Sequence, residues 1–154
     1  LDAVEFIDYG ATKPEVEFNL NTTVTSDAKT GYIYGLDEGF ADIASYVTVK
    51  DGTGTSAFIP TVNGNGTGSK LEIYTITGAL YKTYTIIIFG DVNGDCKADG
   101  MDAVLIGCMA NNMVEYDDSI KYAADVNFDG SVSDTDSVTV AGYAIGNDVI
   151  SQIR

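Results

Sequence analysis

Between Asp91 and Asp102 the chain reads Asp-Val-Asn-Gly-Asp-Cys-Lys-Ala-Asp-Gly-Met-Asp. With these residues numbered 1 to 12, side-chain oxygens fall at positions 1 (Asp91), 3 (Asn93), 5 (Asp95), 9 (Asp99) and 12 (Asp102), and position 7 (Lys97) offers its backbone carbonyl. Calcium is a hard cation that takes about 6 to 8 oxygens, and a tight loop can turn alternate residues inward while the start of a helix supplies the last one. The pattern recurs 34 residues on. Asp125 to Asp136 places oxygens at Asp125, Asn127, Asp129, Ser133 and Asp136, with a carbonyl at Ser131. One such match is compatible with an acidic surface loop. Two in register, each opening an apolar helical stretch, point to two bound Ca2+ ions.

Composition limits what else the chain can do. It carries 23 acidic and 8 basic residues, a net charge of −15, which argues against nucleic acid or an anionic membrane surface as a partner. Seven of the twelve acids beyond residue 90 are the expected ligands, so much of the charge belongs to the two loops. Histidine is absent, which removes imidazole acid–base chemistry, histidine-based triads and most zinc sites. No residues read as a nucleophile with its base, so no enzyme activity is expected. Leu1 reads as the cut edge of a longer protein, no signal peptide opens the chain, and the apolar run Ile86–Phe89 is too short to span a bilayer.

Cys96 takes loop position 6, where glycine is usual because the turn favours positive φ. A cysteine there should cost on the order of 1 kcal/mol. A disulfide with Cys108 would suit a secreted protein, but a loop tip and a site about two turns into the exiting helix are poorly placed for one. Unpaired thiols are the expectation, with Cys108 packed or at a contact surface.

Residues 1–89 read as a β-rich module. Strands are expected at Val4–Asp8, Val16–Leu20, Thr30–Tyr34, Ser45–Val49 and Ser56–Val62, with one or two helical turns at Glu38–Ala44. The stretch from Asn63 to Ser69 is rich in Asn, Gly and Thr and reads as a loop. Leu71–Thr77 and Leu80–Phe89 are the clearest strands, joined around Gly78 as a hairpin. Tyr32, Tyr34, Tyr81 and Tyr84 fit two roles, a sugar-binding face or cover for a small core, and the second is the expectation. Two Asn-X-Thr triplets, at Asn21 and Asn65, match the glycosylation sequon, which is common by chance.

The passage from Phe89 through Gly90 into Asp91 has no linker, so the two parts should pack as one body. An EF-hand would need a helix before the loop, whereas Tyr84–Phe89 is β-branched and aromatic. The first motif is therefore a loop and an exiting helix. Helices are expected from Gly100, over Glu115–Ala124, and over Thr135–Ile145. Under the offset of 34, Ile106 and Met109 align with Val140 and Tyr143 as a shared core between two pseudo-twofold helices. The expected architecture is α+β overall, an N-terminal β-rich module (1–89) packed against a C-terminal all-α module (90–154) with two calcium loop–helix motifs.

The paired sequences Gly90-Asp91-Val92-Asn93-Gly94-Asp95 and Ala124-Asp125-Val126-Asn127-Phe128-Asp129-Gly130, each followed by one helix, resemble the duplicated motif of dockerin modules. The resemblance covers residues 90 to about 148. It implies a non-catalytic module that docks onto a cohesin of a scaffoldin, anchoring a polysaccharide-degrading enzyme or adaptor in a secreted, cell-surface complex (a cellulosome) of an anaerobic bacterium. It also implies a monomer when unbound. By position, residues 1–89 are similar to the X modules of that family. The family's contact positions carry over to Gly100, Met101, Gly107, Cys108 and Asn112 in the first copy, and to Asp134, Thr135, Ala141, Gly142 and Gly146 in the second. The first copy lacks the family's Ser-Thr pair, which leaves the cohesin type open. Two alternatives stand beside this reading. One is a calmodulin-like sensor, against which the missing entering helix counts. The other is a calcium-stabilised carbohydrate-binding or surface-attachment module.

Overall fold

Leu71, Ile73 and Thr75 are buried while Glu72 and Tyr74 between them are half-exposed, the period of two that a strand with one covered face requires. In the computed structural model, which describes residues 12–154, this pattern forms an antiparallel hairpin at the centre of a five-stranded sheet. The strand expected at Val4–Asp8 lies outside the described residues. The strands are β1 (Val16–Phe18), β2 (Thr25–Ser26), β3 (Tyr32–Tyr34), β4 (Val47–Val49), β5 (Gly54–Ile59), β6 (Lys70–Thr75) and β7 (Leu80–Ile86). The large sheet runs β2-β3-β7-β6-β5, and β1 pairs with β4 in a separate two-stranded ribbon. All pairings are antiparallel except β3 with β7, where Tyr32 faces Thr85 and Ile33 faces Ile86 in parallel.

Two sequence expectations shift. The strand expected at Ser56–Val62 is Gly54–Ile59, because Pro60 has no N–H for the ladder. The helical turns expected at Glu38–Ala44 shrink to a single 3₁₀ turn, Ile43–Ser45. Gly39 sits at φ +70 and donates its N–H to the carbonyl of Cys96, and Asp42 is extended, its side chain capping Ala44 N at 2.9 Å. A helix cannot run through either residue. Phe40 and Ile43 are nevertheless buried as the pattern required.

The chain after β7 leaves the strand ladder, turns at Phe89–Gly90 and stays wholly buried. Ile86 and Ile88 enter one apolar cluster, with Ile33, Leu71, Ile73 and Phe40. Ile87 and Phe89 enter the other, with Val92, Ile106, Ala123 and Val140. Strand β3 divides the same way. Ile33 is in the first cluster, while Tyr32 and Tyr34 turn to the second, where Tyr32 meets Tyr122 at 5.0 Å and Tyr34 meets Phe89 at 5.8 Å between ring centroids. The part of the sheet made by β3 and the end of β7 therefore has apolar cover on both faces. Tyr84 is buried in the first cluster and Tyr81 packs on its margin, so these four tyrosines cover cores.

Beyond residue 90 the regular elements are α1 (Gly100–Ala110), α2 (Asp118–Ala124) and α3 (Asp134–Ala144). Asn111 caps α1 and Asn112 turns to φ +54, which stops it. Ile106, Met109 and Val140 are buried together between α1 and α3, with Tyr143 beside them. None of the described helices is long and apolar enough to cross a membrane. The C-terminal residues close the second cluster. Ile150 is buried in it, and the Gln152 side-chain amide pairs with the backbone of Phe89 in both directions (2.7 and 2.8 Å).

A wall shared by two cores should make the chain unfold as a unit. Limited proteolysis in calcium should leave residues 86–92 uncut. Phe89→Ala should lower stability by about 3–5 kcal/mol within a single denaturant transition seen alike by far-UV CD and tyrosine fluorescence. Rapid cutting at 86–92, or two separated transitions, would mean that the halves fold apart.

Candidate functional site

The two acidic loops share most of their hydrogen bonds, differing where Asp91 Oδ1 accepts from Gly94 N (2.7 Å) and Asp125 Oδ1 from Asp129 N (3.1 Å). In the first, Asp91 Oδ2 accepts from Cys96 N (3.0 Å), Asp102 Oδ1 accepts from Val92 N (2.9 Å) and Asn93 N (3.1 Å), and Asp102 Oδ2 accepts from Asp99 N (3.0 Å). In the second, Asp125 Oδ2 accepts from Gly130 N (3.0 Å), Asp136 Oδ1 from Val126 N (3.0 Å) and Asn127 N (3.3 Å), and Asp136 Oδ2 from Ser133 N (2.9 Å). Asn93 and Asp95 bond each other as Asn127 and Asp129 do, and each Asp also accepts the N–H of position 7, Lys97 or Ser131. The acids at positions 1 and 12 thus draw the loop's N–H groups inward from both ends.

Position 12 is also the third residue of a helix, with position 9 as its N-cap. Asp99 caps α1 by accepting from Met101 N (2.8 Å), and Ser133 stands at the same place before α3. An acid in the first turn is favoured by the helix dipole, so one residue both starts the helix and closes the loop.

Positive φ recurs at positions 4 and 6: Gly94 and Cys96 in the first loop, Phe128 and Gly130 in the second. The two non-glycine residues carry strain of about 1–2 kcal/mol each, and each is held by its side chain. The Cys96 thiol is buried in the first apolar cluster, where Gly39 N approaches Sγ at 3.2 Å and the Cys96 carbonyl at 2.9 Å. Phe128 stacks edge-on against Phe89 at 4.9 Å. Both cysteines are free thiols, Cys96 buried and Cys108 half-buried, in line with the unpaired reading.

Asp91, Asp102 and Asp136 are wholly buried and Asp125 nearly so. Among the described residues neither Asp91 nor Asp102 has an ion-pair partner. Burial pushes the Asp91 carboxyl up to about 7 against the pull of the N–H groups of Thr67, Gly94 and Cys96. Burial also raises Asp102, opposed by the N–H groups of Asp99, Val92 and Asn93. Two buried like charges side by side are costly without a cation. Asp129, at the exposed rim, is instead lowered, chiefly by its bond with the Ser131 hydroxyl. No group of three or more acidic or cysteine side chains among the described residues is placed to hold a metal ion alone. The remaining oxygens of each loop come from Asn93, Asn127, Ser133 and the carbonyls of Lys97 and Ser131.

The residues expected to meet a partner are split. Gly100, Met101 and Asn112 are exposed on or beside α1, and Asp134, Thr135, Ala141 and Gly146 on or beside α3. Cys108 is half-buried. Gly107 faces α3, where an added Cβ would lie 3.3 Å from Ser137 Oγ. Gly142 lies under Asp148, whose Oδ2 would be 1.7 Å from a Cβ there. Both glycines are half-buried, with a neighbouring side chain close to where a Cβ would stand. Asp134 Oδ1 accepts from Asn111 Nδ2 at 3.0 Å, which ties the start of α3 to the end of α1. Exposed apolar side chains flank these positions, Met101 and Val104 on α1 and Val138 on α3.

Three groups at the site had no signal in the loop spacing. The backbone of Gly66 and Thr67 reaches the first loop from the Asn/Gly/Thr-rich segment, Thr67 N donating to Asp91 Oδ2 at 2.9 Å. Arg154 reaches the second, its Nη2 3.0 Å from Asp125 Oδ2 and its guanidinium over the rings of Tyr122 and Phe128.

Residues 89–143 match the family model of the dockerin type I domain. Two solved structures from Acetivibrio cellulolyticus are similar to part of the chain. Both hold the third cohesin of ScaC in complex with the ScaB dockerin, displaying a type I interaction. The one with a mutation in the dockerin's N-terminal helix is 32% identical, covering 42% of this chain and 90% of that one, with a TM-score of 0.39. The one mutated in the C-terminal helix is 30% identical, covering 44% and 94%, with a TM-score of 0.40. No curated protein matches the chain. Through residues 89–143, this chain belongs to the dockerin type I family.

Proposed function

We propose that residues 90–154 form a non-catalytic, calcium-dependent docking module that binds a cohesin of a scaffoldin. In this role it anchors the polypeptide that carries it in an extracellular polysaccharide-degrading complex. Residues 1–89 are its X-like companion module. The observation that carries this is the hydrogen-bond pattern shared by two oxygen-rich loops, each closing on a buried acid that starts a helix. Asp91, Asn93, Asp95, Asp99, Asp102 and the Lys97 carbonyl would hold one Ca2+. Asp125, Asn127, Asp129, Ser133, Asp136 and the Ser131 carbonyl would hold the other. The donor set mixes carboxylate, amide, hydroxyl and peptide oxygens with no nitrogen or sulfur, which suits a hard cation. Calcium, when bound, supplies the positive charge that Asp91 and Asp102 lack. The loops fix the first turns of α1 and α3, and these helices carry the exposed Met101, Val104, Thr135 and Val138 to a partner. A sugar-binding role for the β half finds no such support, since Tyr32, Tyr34 and Tyr84 pack inward.

Calorimetry should show uptake of two ions, with Asp91→Ala and Asp125→Ala each removing one. Position 9 often ligates through water, so Asp99→Ala should weaken its site far less. Chelator should lower the melting temperature and abolish capture by a cohesin panel. Uptake of no calcium, or an unchanged melt in chelator, would overturn the reading.

The pH dependence has a sign. An acid whose folded value is raised, as Asp91 is to about 7 from 3.8, contributes stability that is full below its unfolded value and lost as pH rises through the folded one. In chelator, stability should therefore fall between about pH 4 and 7 through Asp91, and Asp91→Asn should flatten that fall in a set of urea melts. Parallel curves for the two proteins would refute it. With calcium the sign reverses, because ligands must be deprotonated.

The two helices offer a partner different faces, apolar Gly100-Met101 on one and Asp134-Thr135 on the other. A surface that buries Met101 would leave Asp134 desolvated after rotation by the pseudo-twofold. That costs several kcal/mol, against the roughly 1.4 kcal/mol that separates populations tenfold. One docking orientation should dominate, so Met101→Asp and Thr135→Arg should have very unequal effects on cohesin affinity. If each alone binds like wild type and only the double variant fails, both orientations are in use.

A further inference from the structure

The two position-1 acids are alike within their loops and differ in what holds them from outside. Asp125 is met by the side chain of Arg154. Asp91 is met by a peptide N–H, Thr67, on a segment that precedes it by 24 residues. That segment makes several bonds to the first loop. Thr61 Oγ1 donates to the Gly94 carbonyl at 2.9 Å, Gly66 N donates to the same carbonyl at 3.1 Å, and Asn63 Nδ2 donates to the Asn93 carbonyl at 2.7 Å. The segment is itself pinned, since the Thr67 hydroxyl bridges both the N–H and the carbonyl of Ile88 at 3.0 and 3.1 Å. Gly66 lies so close that a Cβ built on it would stand 1.9 Å from Asp91 Oδ2 and 2.4 Å from Cys96 N. Its backbone is not in the left-handed region, so glycine is needed there for space. Among the described residues the second loop has no counterpart to this wall.

We infer that the segment Thr61–Thr67 is a positioning wall for the first calcium loop. The N-terminal half would set that loop's affinity by holding Asp91 and the peptide groups of Asn93 and Gly94 from outside, while the second loop is independent of it. This rests on the calcium reading above. The wall takes one oxygen of Asp91 with a neutral donor, which orients the carboxylate without adding a competing charge. Outer groups that orient ligands in this way typically change metal affinity about 10- to 100-fold when removed. Linkage makes the effect reciprocal. If the wall favours the loaded loop, calcium in the first loop must shift the opening equilibrium of the wall toward the closed form by the same factor, and ion occupancy becomes a lock on the β-rich half as well as on the helices.

The test uses the full chain and calcium alone as probe. Site-resolved titration can be followed by NMR through the amides of Cys96 and Gly130, the equivalent N–H groups of the two loops. Gly66→Ala should weaken calcium binding reported by Cys96 about tenfold or more and leave that reported by Gly130 unchanged. Thr61→Val with Asn63→Ala removes the two side-chain bonds to the loop, along with the Thr61 hydroxyl's bonds to Asn63 and Gly64 within the segment, without introducing a clash. It should weaken the first site in the same selective way by a smaller factor, and it decides the matter if Gly66→Ala does not fold. Hydrogen exchange at Thr67 N–H should slow on adding calcium to the wild type and not to Asp91→Ala. A wild type that takes up no calcium defeats the functional reading itself. A wild type that takes up two ions, with variants that weaken both sites equally or neither, overturns the wall.

Discussion

The structure depends on four consecutive buried residues, Ile86 to Phe89. An extended chain sends successive side chains to opposite sides, so Ile86 and Ile88 belong to one apolar cluster and Ile87 and Phe89 to the other. Neither cluster can close without this run. Its backbone groups are spoken for on both sides as well: Ile87 N donates to Ile33 O, Ile88 exchanges bonds with the Thr67 hydroxyl, and Phe89 pairs with Gln152. A buried backbone has to find such partners, and here they come from β3, from the segment before β6 and from the C-terminus.

This run delivers Asp91 into a fully buried position immediately after Gly90. A carboxylate placed there is surrounded by N–H donors and, among the described residues, by no basic side chain. The second loop answers the same need with Arg154, held over two aromatic rings. A duplicated motif has therefore been fitted into two unlike surroundings: β-sheet and peptide groups for one copy, a terminal side chain for the other. The strained residues follow the same division. Cys96 is tolerated at positive φ because its thiol fills the first core, and Phe128 because its ring fills the second.

The exposed faces of α1 and α3 are shaped from beneath. Ser137 and Asp148 lie where a side chain at Gly107 or Gly142 would reach, and Asp134 is bound to Asn111. What remains exposed is a set of polar and apolar side chains on helices whose first turns are locked to the acidic loops. Loop chemistry and the exposed helix faces are coupled through Asp102 and Asp136, each of which is at once a loop acid and a helix start.

Much of this was legible from local rules. The oxygen spacing of the two loops, their offset of 34, the hairpin around Gly78 and the pairing of Ile106 and Met109 with Val140 all follow from periods of two, of 3.6 and of the repeat itself. Those signals are carried by neighbours in the chain, so no knowledge of the fold is needed to read them. The helical reading of Glu38–Ala44 failed because its apolar spacing was real while Gly39 was committed to a distant carbonyl, that of Cys96. Which side of the wall each isoleucine faces, the burial of the Cys96 thiol away from its own loop, and the approach of Gly66, Thr67 and Arg154 to the position-1 acids were decided only by tertiary structure. These contacts join residues 24 to 57 positions apart through backbone groups and terminal side chains, and nothing in their local spacing marks them. The sequence by itself determined what the loops are made of; the fold decided what stands behind each one, because a buried acid takes its partner from whatever the packed chain brings within reach.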